Sequence, residues 1–178
     1  MAVKGAGPAL KVLTAAVILA CLAAVPDIAF AADPKEEAVL GTWLTGADGK
    51  ELAKVTITRA GEEYVGQIVW LEYPRFQPGD EPGMDGKTKI DLKNPDHALR
   101  DRPVLGMKIL EGFRFAPGKK WPWTGGTVYD PENGKTYSGK MRLEGDKTLR
   151  LKGYVLIPLF GRSTTWTRVD QEKNREKE

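Results

Sequence analysis

Tyr137-Ser138-Gly139-Lys140-Met141-Arg142-Leu143 is followed, across Glu144-Gly145-Asp146, by Leu149-Arg150-Leu151-Lys152-Gly153-Tyr154-Val155. In the first run Tyr137, Gly139, Met141 and Leu143 alternate with Ser138, Lys140 and Arg142. In the second, Leu149, Leu151, Gly153 and Val155 alternate with Arg150, Lys152 and Tyr154. A period of two is that of an extended chain, whose successive side chains point to opposite faces. Two such runs across a short Gly- and Asp-bearing turn predict an antiparallel hairpin with one face buried.

The same period spreads outward from this hairpin. Tyr64, Gly66, Ile68 and Trp70 fall on one face, and Val65, Gln67, Val69 and Leu71 on the other, which predicts a strand covered on both sides. Met107, Ile109, Glu111 and Phe113 alternate with Lys108, Leu110, Gly112 and Arg114. Runs near Leu40 to Thr45, Leu52 to Arg59, Gly125 to Tyr129 and Arg162 to Val169 bring the expected strands to about eight. Ala47-Asp48-Gly49-Lys50 and Asp130-Pro131-Glu132-Asn133-Gly134 supply further turn chemistry. The expected class is therefore all-β: an antiparallel up-and-down meander, most simply closed into a barrel that leaves no exposed edge.

One connection breaks the meander. Residues 74 to 103 are rich in Pro, Gly and charge and carry no strand signal. Within them Asn94-Pro95-Asp96-His97-Ala98-Leu99-Arg100 predicts a single helical turn, with Asn94 as its cap and Pro95 at its first position. A loop of about 30 residues in a small domain is often functional, so any site is expected to border it.

The first 31 residues read as a secretory signal. Lys4 and Lys11 precede an uncharged apolar run from Val12 to Val25, and Ala29-Phe30-Ala31 provides small residues at the two positions that matter for cleavage. That run, roughly 14 residues, is short of the ~20 a spanning helix needs, so no stable membrane span is expected after cleavage. Ile18-Leu19-Ala20-Cys21 offers a second route, a lipoprotein acylated at Cys21, although Leu22 to Val25 stay apolar beyond it. Residues 32 to 169 then form one domain in the periplasm or outside the cell, and the charged stretch 170 to 178 a solvated tail. Cleavage removes two of the 27 basic and one of the 24 acidic side chains, and the only cysteine. The remaining charge is nearly balanced, which argues against nucleic acid as a partner, and stability rests on packing rather than disulfides.

Longer patterns carry a resemblance. They are Gly41-Thr42-Trp43-Leu44, Gly66-Gln67-Ile68-Val69-Trp70-Leu71, Asn94-Pro95-Asp96, Leu99-Arg100-Asp101-Arg102-Pro103, Leu105-Gly106, Trp123 with Gly125-Gly126, and Tyr129-Asp130-Pro131. After them come Gly134-Lys135-Thr136-Tyr137-Ser138-Gly139-Lys140, Leu151-Lys152-Gly153-Tyr154, and Phe160-Gly161-Arg162 with Trp166. From about Val39 to Arg168 the chain resembles the bacterial family known as domain of unknown function 2147. The resemblance implies an exported bacterial protein and names no reaction. Gly41-x-Trp43 with a late Arg168 also resembles the calycin pattern of lipocalins and fatty-acid-binding proteins. There an early tryptophan packs under a late arginine at the closed end, which implies structural roles for Gly41, Trp43 and Arg168 in a calycin-like barrel.

Residues able to carry chemistry are few. His97 is the only histidine, so with no cysteine left a zinc site lacks ligands, and no Gly-x-Ser-x-Gly elbow supports a nucleophilic serine. Asp80, Asp85, Asp91 and Asp96 crowd the long loop, but lysines 87, 89 and 93 interleave them and read as solvated charge rather than a calcium site. Glu111 and Asp130 are the carboxylates that an acid/base reading would use, Glu111 being expected on the apolar face of its strand. Arg100 and Arg102, beside Pro103, could clamp an anionic ligand group or tie the loop down through Asp91, Asp96 or Asp101; Arg162 has the same two readings. Trp121, Trp123, Tyr129 and Trp166 supply aromatic bulk for a core or for a ligand at the mouth. Gly125-Gly126 predicts a bulge, since no helix follows to make a phosphate cradle.

The leading expectation is a non-enzymatic domain that holds a small apolar or amphipathic ligand at the barrel mouth, near Arg100, Arg102, Trp123, Tyr129, Arg162 and Trp166. Asn94 and Asp96 serve the loop, and no metal or cofactor is expected. The alternative is a side-chain-filled barrel acting as a structural module that meets another envelope protein. A carboxylate hydrolase comes third. The oligomeric state stays open.

Overall fold

The structure, a computed structural model, describes residues 34–47, 50–155 and 161–169. The expected signal segment with Cys21, part of the first turn, Phe160 and the charged tail lie outside the described residues.

Among the described residues, eight strands run in chain order around a closed barrel: β1 (Gly41–Ala47), β2 (Lys50–Ala60), β3 (Glu63–Leu71), β4 (Lys108–Phe115), β5 (Trp123–Asp130), β6 (Lys135–Leu143), β7 (Thr148–Tyr154) and β8 (Arg162–Arg168). Every neighbouring pair is antiparallel. A short helical turn, α1 (Pro34–Glu37), stands in what reads in sequence as a polar leader. Closure is confined to one end, because β1 and β8 pair only at Trp43 with Arg168 and Leu44 with Thr167.

The hairpin that opens the sequence reading pairs as its alternation predicts, with Met141 opposite Leu151 and Leu143 opposite Leu149. Met141, Leu149 and Leu151 are buried, with Trp43, Val55, Ile57, Tyr64, Ile68, Leu110, Phe113, Trp123 and Trp166. Irregularities change two other strands. A register shift in the β2–β3 ladder leaves Val69 48 % exposed. Leu71 packs against the core, while Trp70 lies outside under the Lys54 ammonium. In β4, Gly112 adopts φ 71° and the pairing with β3 slips, so Leu110 and Phe113 share the core and Glu111 is exposed. The expected placement of Glu111 on an apolar face is thereby corrected: a bulge adds one residue and breaks strict alternation.

The 72–107 connection has no strand, but two isolated bridges brace it, Arg75 with Thr88 and Ile90 with Pro103. Its helical turn is a 3₁₀ turn over His97–Leu99 whose cap is Asp96, accepting from the Ala98 N–H at 2.9 Å. Asn94 stands two residues earlier and accepts from the Asp96 N–H at 2.8 Å. The cap predicted at Asn94 is thus corrected by two residues, Pro95 preceding the turn.

Candidate functional site

The inside of the barrel is occupied at mid-height. Gly66, Gly126 and Gly139 lie on inward register positions, and each gives its space to a neighbouring side chain. A Cβ at Gly66 would stand 2.7 Å from Leu110, and one at Gly126 or Gly139 would stand 2.3 or 2.4 Å from the Phe113 ring. Leu110 and Phe113 therefore fill the axis where three strands carry no side chain. Trp123 and Trp166 belong to this packing, at 3 % and 5 % exposure. Trp123 meets Tyr64 edge-on, centroids 6.5 Å apart, and Phe115 at 5.3 Å.

Above the plug, Arg162 pairs with Gly153 and Thr164 with Leu151, which puts both β8 residues on the inward register. Both are exposed, as the splayed β1–β8 seam permits.

The long loop is bound to the outer wall by one buried carboxylate. Asp91 is fully buried and accepts from the Tyr129 hydroxyl at 2.5 Å, Asn94 Nδ2 at 2.6 Å and Arg102 Nε at 2.9 Å, with Arg102 Nη2 at 2.8 Å. The Arg102 guanidinium also lies over the Tyr129 ring, 5.5 Å from its centroid. Burial first, then the Asp91 carboxylate, pushes the Tyr129 phenol above its ordinary pKa. Arg100 donates to the Asn94 carbonyl at 2.7 Å. Gly134 closes the contact from the β5–β6 turn, for a Cβ there would stand 1.8 Å from the Lys93 carbonyl oxygen.

Beside this tie, between the returning loop and the outer face of β4 to β6, lies a groove of about 590 Å³. Leu105, Met107 and Ile109 give it an apolar side; Arg102, Lys108, Glu111 and Tyr129 give it polar groups. Tyr129 and Glu111 face outward because their neighbours Val128 and Leu110 are the residues that pack inward.

The sequence candidates thus fall in four places. Trp123 and Trp166 are in the core, and Arg162 is at the mouth. Arg100, Arg102, Asn94, Asp96 and Tyr129 belong to the loop tie. Gly41, Trp43 and Arg168 meet at the closed end, where the Arg168 guanidinium lies 4.2 Å from the Trp43 ring centroid. Asp130 holds its own turn, accepting from the Glu132 N–H and Asn133 Nδ2. His97 is exposed on the 3₁₀ turn. Among the described residues no group of three or more His, Cys, Asp or Glu side chains could hold a metal ion.

Sequence reasoning named Asp91 only as one of several loop acids. Its flanks, Ile90 and Leu92, distinguish it, since no other loop aspartate stands between two branched apolar residues. The groove residues Lys108 and Ile109 could not be found, because the β4 irregularities decide where they point.

Comparison with known proteins gives two findings. Residues 41–168 match the family described as "Uncharacterized protein conserved in bacteria (DUF2147)". The chain is also similar in structure to protein HP1028 from the human pathogen Helicobacter pylori, described as belonging to the lipocalin family, with a TM-score of 0.61 and 21 % identity over 78 % of this chain and 87 % of that one. No curated protein matches the sequence. At that identity the structural likeness establishes the fold alone.

Proposed function

This chain belongs to the DUF2147 family of uncharacterized bacterial proteins, and from that premise we propose that it is an exported, non-enzymatic binding protein for a small amphipathic ligand. The ligand lies beneath the loop beside the barrel mouth, against the outer wall, rather than down the filled axis. The observation that carries this reading is the 590 Å³ groove, apolar along Leu105, Met107 and Ile109 and bordered by an arginine already fixed in place. Its volume is within the ~300–1,000 Å³ of small-molecule sites. A guanidinium held by Asp91 and Tyr129 loses little freedom when it meets a ligand's polar end. The lipocalin-like fold, whose members' calycin pattern includes ligand carriers, supports the class without naming the ligand.

Native mass spectrometry of the protein purified from its own cell envelope, followed by solvent extraction, tests this. A stoichiometric adduct is expected, and Thr127→Trp, an exposed groove-lining position, should abolish it while leaving the melting temperature unchanged. A bare protein whose extract equals that of Thr127→Trp would sink the proposal.

The second reading, a filled barrel that meets other envelope proteins, is favoured by the Leu110 and Phe113 plug. It predicts the bare protein, and partners lost on substitution of exposed loop residues.

A further inference from the structure

The near-balanced charge of the sequence conceals a local cluster of cations on the barrel wall. In the β6–β7 ladder Lys140 stands directly opposite Lys152, and Arg142 directly opposite Arg150. Met141 and Leu151, between them, point into the core, so these four cations stand on the outer wall. They form two rows about 5 Å apart across the strands and about 7 Å along them. Like charges directly opposite one another oppose sheet pairing, and here two such pairs are adjacent. Glu144 serves Arg142 and Arg150. Among the described residues no carboxylate is within ion-pair distance of Lys140, Lys152 or Lys120.

Two aromatic rings border the array. The Lys140 ammonium lies 5.2 Å from the Trp121 centroid and 5.7 Å from that of Tyr154, and the Arg142 guanidinium lies 4.8 Å from Trp121. Burial first, then the charges of Lys152 and Lys120, hold the Lys140 pKa below its ordinary value. The cluster is thus arranged against its own repulsion, and a bound anion would relieve it.

We propose that this wall, with Lys140, Arg142, Arg150 and Lys152 at its centre and Trp121 and Tyr154 at its rim, docks the protein on an anionic phospholipid surface. The cations stand on a convex wall rather than in a cleft, so they meet a charged plane more readily than they enclose a small anion. Trp and Tyr at the border of a basic patch suit the headgroup layer, where one end of each ring is wet. The wall carries two cationic pairs on alternate rungs of one ladder, whereas the groove beneath the loop mixes Lys108 and Arg102 with Glu111.

Co-sedimentation of the full chain with vesicles tests the proposal. Vesicles containing phosphatidylglycerol should bind the protein, and pure phosphatidylcholine vesicles should bind it far less. The difference should vanish near about 0.5 M salt, where charges are screened beyond a few ångströms. Lys140→Gln with Lys152→Gln should weaken binding roughly thirtyfold, the loss expected when each surface cation contributes about 1 kcal/mol. The pair Lys87→Gln with Lys135→Gln, exposed elsewhere, should change it little.

Removing the facing lysines relieves repulsion, so the variant should melt no lower than the parent; should it fail to fold, Lys152→Gln alone carries the test at about a fivefold loss. Equal binding to both vesicle types, or an equal loss from the control pair, would overturn the proposal. So would displacement by pyrophosphate at matched ionic strength, which would mark a small-anion site, or tighter binding of a single-stranded oligonucleotide through the same lysines.

Discussion

Two knots hold this barrel, one at the closed end and one at the loop, and they are made of different materials. At the closed end Arg168 donates to the carbonyls of Ala38, Leu40 and Asp146 while its guanidinium covers Trp43, whose indole donates to the Val39 carbonyl at 2.9 Å. Gly41, at φ 116°, leaves room, since a Cβ there would stand 3.0 Å from Arg168 Nη1. These hydrogen bonds are all accepted by backbone carbonyls. At the loop, Asp91 is held by three side chains, Tyr129, Asn94 and Arg102. Backbone partners survive any substitution of the residues that carry them; side-chain partners do not. The closed end should therefore depend most on its own ring and cation, and the loop on any of several residues.

The largest effect is expected at the closed end. Trp43→Ala empties a fully buried ring site on which the N-terminal turn and β8 both rest, and should cost about 4 kcal/mol of global stability in chemical denaturation. Asp91→Ala comes next, at about 3 kcal/mol, because it removes the acceptor of the Tyr129 hydroxyl, one of the two acceptors of the buried Asn94 amide and the anion paired with Arg102. It should be felt locally: hydrogen exchange should accelerate across residues 88–104 while the barrel amides keep their protection. Equal acceleration in loop and barrel would show that the two knots form one cooperative unit.

The two knots were also unequally legible. Gly41, Trp43 and Arg168 form a spaced pattern in which each residue is chemically distinctive, and barrel closure brings strand one to strand eight whatever lies between. The alternation of Tyr137 to Gly153 likewise survives into the structure, because hairpin register follows from the turn, whereas Val155, expected on the same face, lies beyond β7 and is 58 % exposed. The loop knot joins Asp91 to residues 3, 11 and 38 positions away, and no period relates them. Among the loop acids the apolar flanks Ile90 and Leu92 mark Asp91 for burial, but only the packing of Tyr129 on the outer wall gives it its partner. The β4 face was misread for a related reason: the Gly112 bulge depends on Phe113 finding space over Gly126 and Gly139, which only the assembled barrel reveals.

Alkaline titration separates the two knots, since a tyrosine stands at each end. Burial first, then the Glu36 carboxylate, pushes the Tyr64 phenol up to about 12, and its hydroxyl donates to the Glu36 carbonyl at 3.0 Å. A folded pKa above the unfolded value of 10.0 contributes stability that is complete below pH ~10 and lost as pH rises towards ~12. For Tyr64 that loss is about 2–3 kcal/mol. Tyr64→Phe should flatten part of the decline and leave the share due to Tyr129. A decline unchanged in Tyr64→Phe would place the alkaline weakness wholly at the loop.

The smallest effect bears on whether the closed end is as independent of side chains as its hydrogen bonds suggest. Arg59 Nη2 and Glu36 Oε1 lie 3.0 Å apart, joining the N-terminal turn to β2, with side chains 33 % and 21 % exposed. Such a half-exposed pair contributes little, because water and salt screen it and ordering two long side chains opposes it. Arg59 also donates to the Gly61 carbonyl at 2.8 Å, a turn contact that Arg59→Lys disturbs as much as Arg59→Ala. A double-mutant cycle of Arg59→Ala with Glu36→Gln removes that side effect, and should return a coupling of about 0.5 kcal/mol that fades at high salt. A coupling several times larger would mean that the N-terminal turn is held by charge rather than by Val39, Trp43 and the carbonyls to which Arg168 donates. The closed end would then share the loop's dependence on particular side chains.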